Sequence, residues 1–251
     1  MRVAFSGFPF ERRDVRTRFA SLLERTGWRE SDAALRLLCM HHCAEGATVG
    51  PGDFTFTTAS DVIRLRDVPP SFAAVLSGHI HRRQALTTDL RGRPLNGPVL
   101  YPGSIERTAR AEMGETKGYL IVHVQADGNG GRARWEPRDL YARPMFAHDI
   151  AVNKMSGSDL DDAVRAIVRA APPDAVLRIR VTGELKDDHL HALRARHVRT
   201  YVPESMNVEI QAGDGRFRRS LLRRRAEAQP REAPARSAPA SGSQLGLGIG
   251  V

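Results

Sequence analysis

The chain has 251 residues, 41% of them hydrophobic, with a formal charge of +9 and a pI of about 10.4. That length allows one large domain or two smaller ones. No apolar run approaches the ~20 residues of a membrane span, and the first residues lack a signal peptide's apolar region. The only cysteines, Cys39 and Cys43, exclude a disulfide framework. A cytoplasmic protein with no membrane partner is therefore expected.

The charge is uneven. Between Arg216 and Arg236 there are eight arginines against Glu227 and Glu232, a surplus of six out of the total of nine. The remainder is only mildly basic, so the pI alone does not argue that the core binds nucleic acid.

In chain order, 2–7 reads as a short strand ended by Gly7. Val15, Phe19, Leu22 and Leu23 fall at helical spacing over 14–25, with Thr26-Gly27 as the stop. The next strand, Leu35–Met40, runs straight into His41-His42. Cys39, His41 and Cys43 alternate, but no second ligand pair completes a structural zinc site. The glycine-rich stretch 45–54 is a loop able to shape a cleft. Pro69-Pro70 then precedes the apolar strand Phe72–Leu76, which delivers Ser77-Gly78-His79-Ile80-His81-Arg82.

Those two strand ends carry the functional argument. In extended backbone, residues i and i+2 face the same side, so His79 and His81 are expected to reach one place. Ligand sites in α/β sheets lie outside the carboxyl ends of strands, and Leu35–Met40 delivers His41 in the same way. Converging imidazoles suit a divalent transition metal. Arg82 and Arg83 beside them suggest an anionic, phosphate-bearing substrate.

Further strands are expected at 98–101, 117–124 and 133–136. Beyond Pro144, a helix N-capped at Ser158 runs past Ile167 and Val168. The strand 175–181 alternates and puts Arg178 and Arg180 on one basic face. A short helix over 187–195 and a closing strand at 206–210 follow. From Gly213 onward the composition is rich in Arg, Ala, Pro, Ser and Gly, and disorder is expected.

His41-His42, the Ser77–Arg82 block, Tyr101-Pro102-Gly103-Ser104-Ile105-Glu106-Arg107 and Glu115-Thr116-Lys117-Gly118-Tyr119 together resemble the later motifs of SbcD-type DNA repair nucleases. These belong to the calcineurin-like metallophosphoesterases. The resemblance covers 35–124 in order and extends more loosely to about 210.

It implies an α/β fold: part of the family's four-layer β-sandwich over 1–145, a small α+β capping and DNA-binding domain over 146–212, and a disordered basic tail over 213–251. It implies a two-metal centre, most often manganese, with His41 and His79 on one ion and His81 on the other. Two ions ~3.5–4 Å apart would clamp the attacking and leaving oxygens of a phosphodiester. Arg82, Arg83, Arg178 and Arg180 would contact DNA. An SMC-like ATPase of the SbcC type is the implied partner.

The family's three earlier motifs, Asp-x-His, Gly-Asp and Gly-Asn-His, do not occur among the 40 residues before His41. Gly52-Asp53 and Asp187-Asp188-His189 contain similar letters but lie in the wrong places. The expectation is therefore the C-terminal portion of such a nuclease, inactive alone and completed by a chain that carries the missing motifs. Two other readings stay open, a non-catalytic DNA-binding or ATPase-docking module and a small-substrate metallophosphoesterase.

Overall fold

The computed structural model describes residues 2–128, 130–213 and 217–221. It is a mixed α/β protein with two multi-stranded sheets. Strand β1 (Val3–Gly7) leads into helix α1 (Val15–Glu24) and strand β2 (Leu35–Met40). Four two-residue strands follow, β3 (Cys43–Ala44), β4 (Thr48–Val49), β5 (Phe54–Thr55) and β6 (Val62–Ile63). They pair as two small ladders, β3 with β6 and β4 with β5. Strands β7 (Ala74–Ser77), β8 (Gln84–Thr88) and β9 (Pro94–Tyr101) complete a five-stranded sheet in the order β1-β2-β7-β9-β8. Its first four strands are parallel, and β8 returns antiparallel beside β9.

Alternation along these strands feeds both faces of the sheet. Leu38, Met40, Val75, Val99 and Tyr101 pack with Val15, Phe19, Leu22 and Leu23 of α1. Leu35, Leu37, Ala74 and Leu100 face the other way. There they meet Leu120, Val122 and Trp135 from the hairpin of β10 (Gly118–Gln125) and β11 (Arg132–Asp139). Coverage on both sides is what a parallel sheet requires, and it explains why β2 reads as a nearly continuous apolar run.

A second core is built by β12 (Met145–Ala151), α2 (Gly157–Ala170), β13 (Val176–Thr182), α3 (Asp187–Ala192), α4 (Ala195–Val198), β14 (Asn207–Ala212) and β15 (Phe217–Leu221). The four strands are ordered β12-β13-β14-β15. Leu160, Val164 and Val168 of α2 pack with Leu177, Ile179 and Val181 of β13 and with Val208 and Ile210 of β14. The helix starts with a reciprocal cap: Asp159 N donates to Ser156 Oγ at 3.2 Å, and Ser156 N donates to Asp159 Oδ2 at 2.9 Å. Two arginines tie the cores through backbone carbonyls. Arg107 Nη1 donates to Arg143 O at 2.9 Å, and Arg143 donates to Asp174 O at 2.7 Å and Ser205 O at 2.8 Å.

Three differences from the sequence reading have physical reasons. The helix cap is Ser156, two residues before Ser158. The expected helix over 187–195 ends at Ala192, where Leu193 leaves helical geometry, and a separate turn begins at Ala195. Phe217–Leu221 lies within the expected disordered tail yet pairs antiparallel with β14. Without that pairing, the outer backbone groups of β14 would form an open sheet edge. Residues 222–251 lie outside the described residues. Among the described residues, no helix is long and apolar enough to cross a membrane.

Leu160 is fully buried at the centre of the second core. Leu160→Ala is expected to lower unfolding free energy by about 2–5 kcal/mol in urea titration, whereas Ser156→Ala should cost about 1 kcal/mol.

Candidate functional site

The register of the parallel sheet brings the two histidine-bearing strand ends together. Met40 is paired with Ser77, so His41 and Gly78 leave the sheet side by side. The rings of His41 and His79 stand edge to face, 5.3 Å between centroids. Gly78 serves this approach through its missing side chain. A Cβ there would lie 2.5 Å from His41 Nδ1. The unusual backbone angle falls one residue later, at His79, with φ of 77°. A non-glycine residue in that region is strained and is held by its surroundings.

This geometry alters the argument from alternation. A left-handed residue breaks the extended path, and His79 and His81 take different partners. Phe10 stacks on His79 at 5.3 Å and on His42 at 5.1 Å, and its edge meets His41 at 6.0 Å. Burial first, then the like charges of His41 and His81, holds His79 below the usual imidazole range.

His81 instead turns to the segment after β9. Its Nδ1 lies 2.9 Å from Glu112 Oε1. The other oxygen of Glu112 accepts from Lys117 Nζ at 2.6 Å, and Thr108 Oγ1 donates to Oε1 at 2.8 Å. Lys117 has a fully buried side chain, and Nζ also donates to Glu115 Oε2 and His81 O, both at 3.2 Å. Burial pushes the Glu112 carboxyl up, but hydrogen bonds from Lys117, His81 and Thr108 outweigh it and bring it down to about 2. Glu112 is thus a buried carboxylate that is ionised at neutral pH.

The Pro102-Gly103-Ser104 turn presses on the same loop. Gly103 has φ of 81°, and a Cβ there would meet His81 O at 2.9 Å. Ser104 N donates to that carbonyl at 3.2 Å. Tyr101 pins the other strand end, with its hydroxyl donating to His42 O and accepting from Ala44 N, each at 2.9 Å. His42 is buried, and its Nε2 accepts from Glu11 N at 2.9 Å.

The four arginines divide into two groups. Arg82 is engaged internally, with Asp53 Oδ1 at 2.5 Å, Glu115 Oε1 at 3.2 Å and Gly50 O at 2.6 Å. Arg83 pairs with Asp139 at 2.6 Å. Arg82 thus braces the 45–54 loop, and Arg83 is in an ion pair with the end of β11. Arg178 and Arg180 instead line a cavity of about 450 Å³ with Arg110, Thr182 and Gln211. Arg178 donates to Gln211 Oε1, while its Nε is buried with no partner among the described residues.

Two carboxylates of the misplaced motif-like stretches are already engaged. Asp53 holds Arg82, and Asp188 caps Gly157 N at 2.7 Å. His189 is buried between Lys186 N and Met155 O. Among the described residues, no group of three or more His, Cys, Asp or Glu side chains is arranged to hold a metal ion. The imidazoles match a transition metal in kind, but their number, with no bridging carboxylate, does not make a two-metal centre. No family model matches the sequence.

Phe10, Thr108, Glu112 and the role of Lys117 were not visible to sequence reasoning. The only sequence signal was the position of Lys117 within the motif at 115–119.

Two outcomes test this geometry. Gly78→Ala should displace the His41 ring, seen as loss of the His41–His79 contact in NMR spectra, with the core intact. Lys117→Met should lower stability by about 3–5 kcal/mol, because it leaves the buried Glu112 charge without its cation, held only by His81 and Thr108. The contribution of Glu112 is present in full above its ordinary value of 4.5 and is lost as pH falls towards 2. Acid unfolding of wild type in that window, and a smaller pH slope in Lys117→Met, are the expected observations.

Proposed function

We propose that this chain contributes the imidazole side of a metal-dependent phosphodiesterase centre acting on DNA, within a partial metallophosphoesterase sandwich. His41, His79 and His81 are the ligands on this reading. The carboxylates and remaining histidines come from outside the described residues, in a polypeptide with Asp-x-His, Gly-Asp and Gly-Asn-His motifs. When bound, divalent metals such as manganese would supply Lewis-acid activation of the phosphodiester. The carrying observation is the juxtaposition of His41 and His79 at adjacent ends of parallel strands. It is supported by the ordered motif resemblance across 35–124.

On the same reading, the second core is the capping domain, and the cavity bearing Arg110, Arg178 and Arg180 takes a DNA phosphate. An SMC-like ATPase of the SbcC type is the proposed partner. A second reading, a non-catalytic DNA-binding module, is favoured by that basic cavity and by the absence of a complete ligand group among the described residues.

The deciding experiment uses end-labelled linear duplex DNA and excess manganese. The purified chain alone should show no turnover. Addition of a chain bearing the three earlier motifs should restore cleavage, and His79→Ala should return it to background. DNA binding without cleavage in the mixture, weakening steeply with salt, supports the module reading. Robust cleavage by the pure chain alone overturns the half-site proposal.

A further inference from the structure

The motif Glu115–Tyr119 carries no assigned role, yet its Lys117 is the most deeply buried cation of the region. The contacts of this lysine point to what it does. Its three ammonium protons go to three oxygens: Glu112 Oε2, Glu115 Oε2 and the carbonyl of His81. An ammonium has no fourth hydrogen bond to give, so its orientation is determined. Glu112 then has one oxygen facing Lys117 and the other facing His81 Nδ1.

An ionised carboxylate only accepts hydrogen bonds. The Thr108 hydroxyl lies 2.8 Å from Glu112 Oε1 and 3.2 Å from His81 Nδ1; its single proton goes to the nearer, charged oxygen, which leaves its own oxygen free to accept from the ring. The proton between His81 and Glu112 must therefore sit on His81 Nδ1.

We propose that Lys117 and Glu112 form a positioning device that holds neutral His81 as the Nδ1–H tautomer and leaves Nε2 as the lone-pair atom it presents. The clamp acts at two points on one residue. Glu112 sets the ring, and Lys117 with Ser104 N holds the backbone carbonyl. A second-sphere carboxylate of this kind sets ring orientation and raises the basicity of the presented nitrogen. Glu112 and Lys117 are positioning residues. They act through His81. The use made of Nε2 rests on the proposed function, whereas the tautomer does not.

The test is long-range ¹H–¹⁵N correlation of histidine side chains in the full chain at pH 8.5, where a free imidazole is neutral. His81 is assigned by its absence in His81→Gln. Wild-type His81 is expected as Nδ1–H, against the Nε2–H form favoured by free histidine. Glu112→Gln keeps the shape but reverses the pattern. Lys117 takes the amide oxygen, the NH₂ turns to His81, and the ring becomes Nε2–H. Thr108→Val, which keeps the carboxylate, should leave Nδ1–H in place.

His189 is the internal control for folding. Its Nδ1 accepts from Lys186 N, so its proton is on Nε2 towards Met155 O in all variants. An Nε2–H or mixed His81 in wild type overturns the proposal. So does an unchanged tautomer in Glu112→Gln with His189 intact. If Glu112→Gln does not fold, wild type and Thr108→Val decide. A confirmed tautomer with no metal binding in any reconstituted mixture would sink the phosphodiesterase reading and leave the device standing.

Discussion

A buried ammonium group organises the site half of this protein. Lys117 has no exposure to solvent, and a charge in that position is tolerated only with close, complete pairing. Glu112 and Glu115 supply the counter-charge from one short segment, and the His81 carbonyl supplies the remaining acceptor. Because the cation demands all three, the loop after β7 and the segment after β9 are held in one arrangement. Arg82 extends the network from Glu115 to Asp53 and Gly50, so the glycine-rich loop joins the same assembly. The loop is braced from beneath the histidines.

The parallel sheet supplies the other constraint. Register places Met40 against Ser77, and everything past those residues is forced into proximity. Gly78 permits the His41 ring to lie over the neighbouring chain, and Tyr101 anchors the backbone at His42 and Ala44. The strained His79 backbone persists because both sides of its loop are restrained, by Phe10 stacking on one side and by the Lys117 clamp on the other. Strain of this kind concentrates where a side chain must be aimed.

The second core contributes a different chemistry. β13 buries Leu177, Ile179 and Val181 and presents Arg178, Arg180 and Thr182 on the opposite face. Strand alternation thus serves packing and a basic surface with the same seven residues. Arg110 approaches this surface from the segment that carries Glu112, so the histidine clamp and the basic cavity share one short stretch of chain.

The sequence by itself determined most of the regular elements. The apolar run of β2, the helical spacing of α1 and the alternation of β13 are local patterns, and each element formed within a few residues of its expected place. It also determined that two buried strands end in histidine. Strands β8, β12 and β15 were not legible, because Gln84–Thr88 and Met145–Ala151 lack clear alternation and Phe217–Leu221 sits in tail-like composition. The tertiary structure alone decided which side chains surround the histidines. Spacing predicted that His79 and His81 would reach one place, but with His79 left-handed its ring stands against His41 at the neighbouring strand end and His81 meets Glu112. Residues 31 positions apart make that contact, and a buried charge chooses its partner by three-dimensional proximity, which no local pattern encodes.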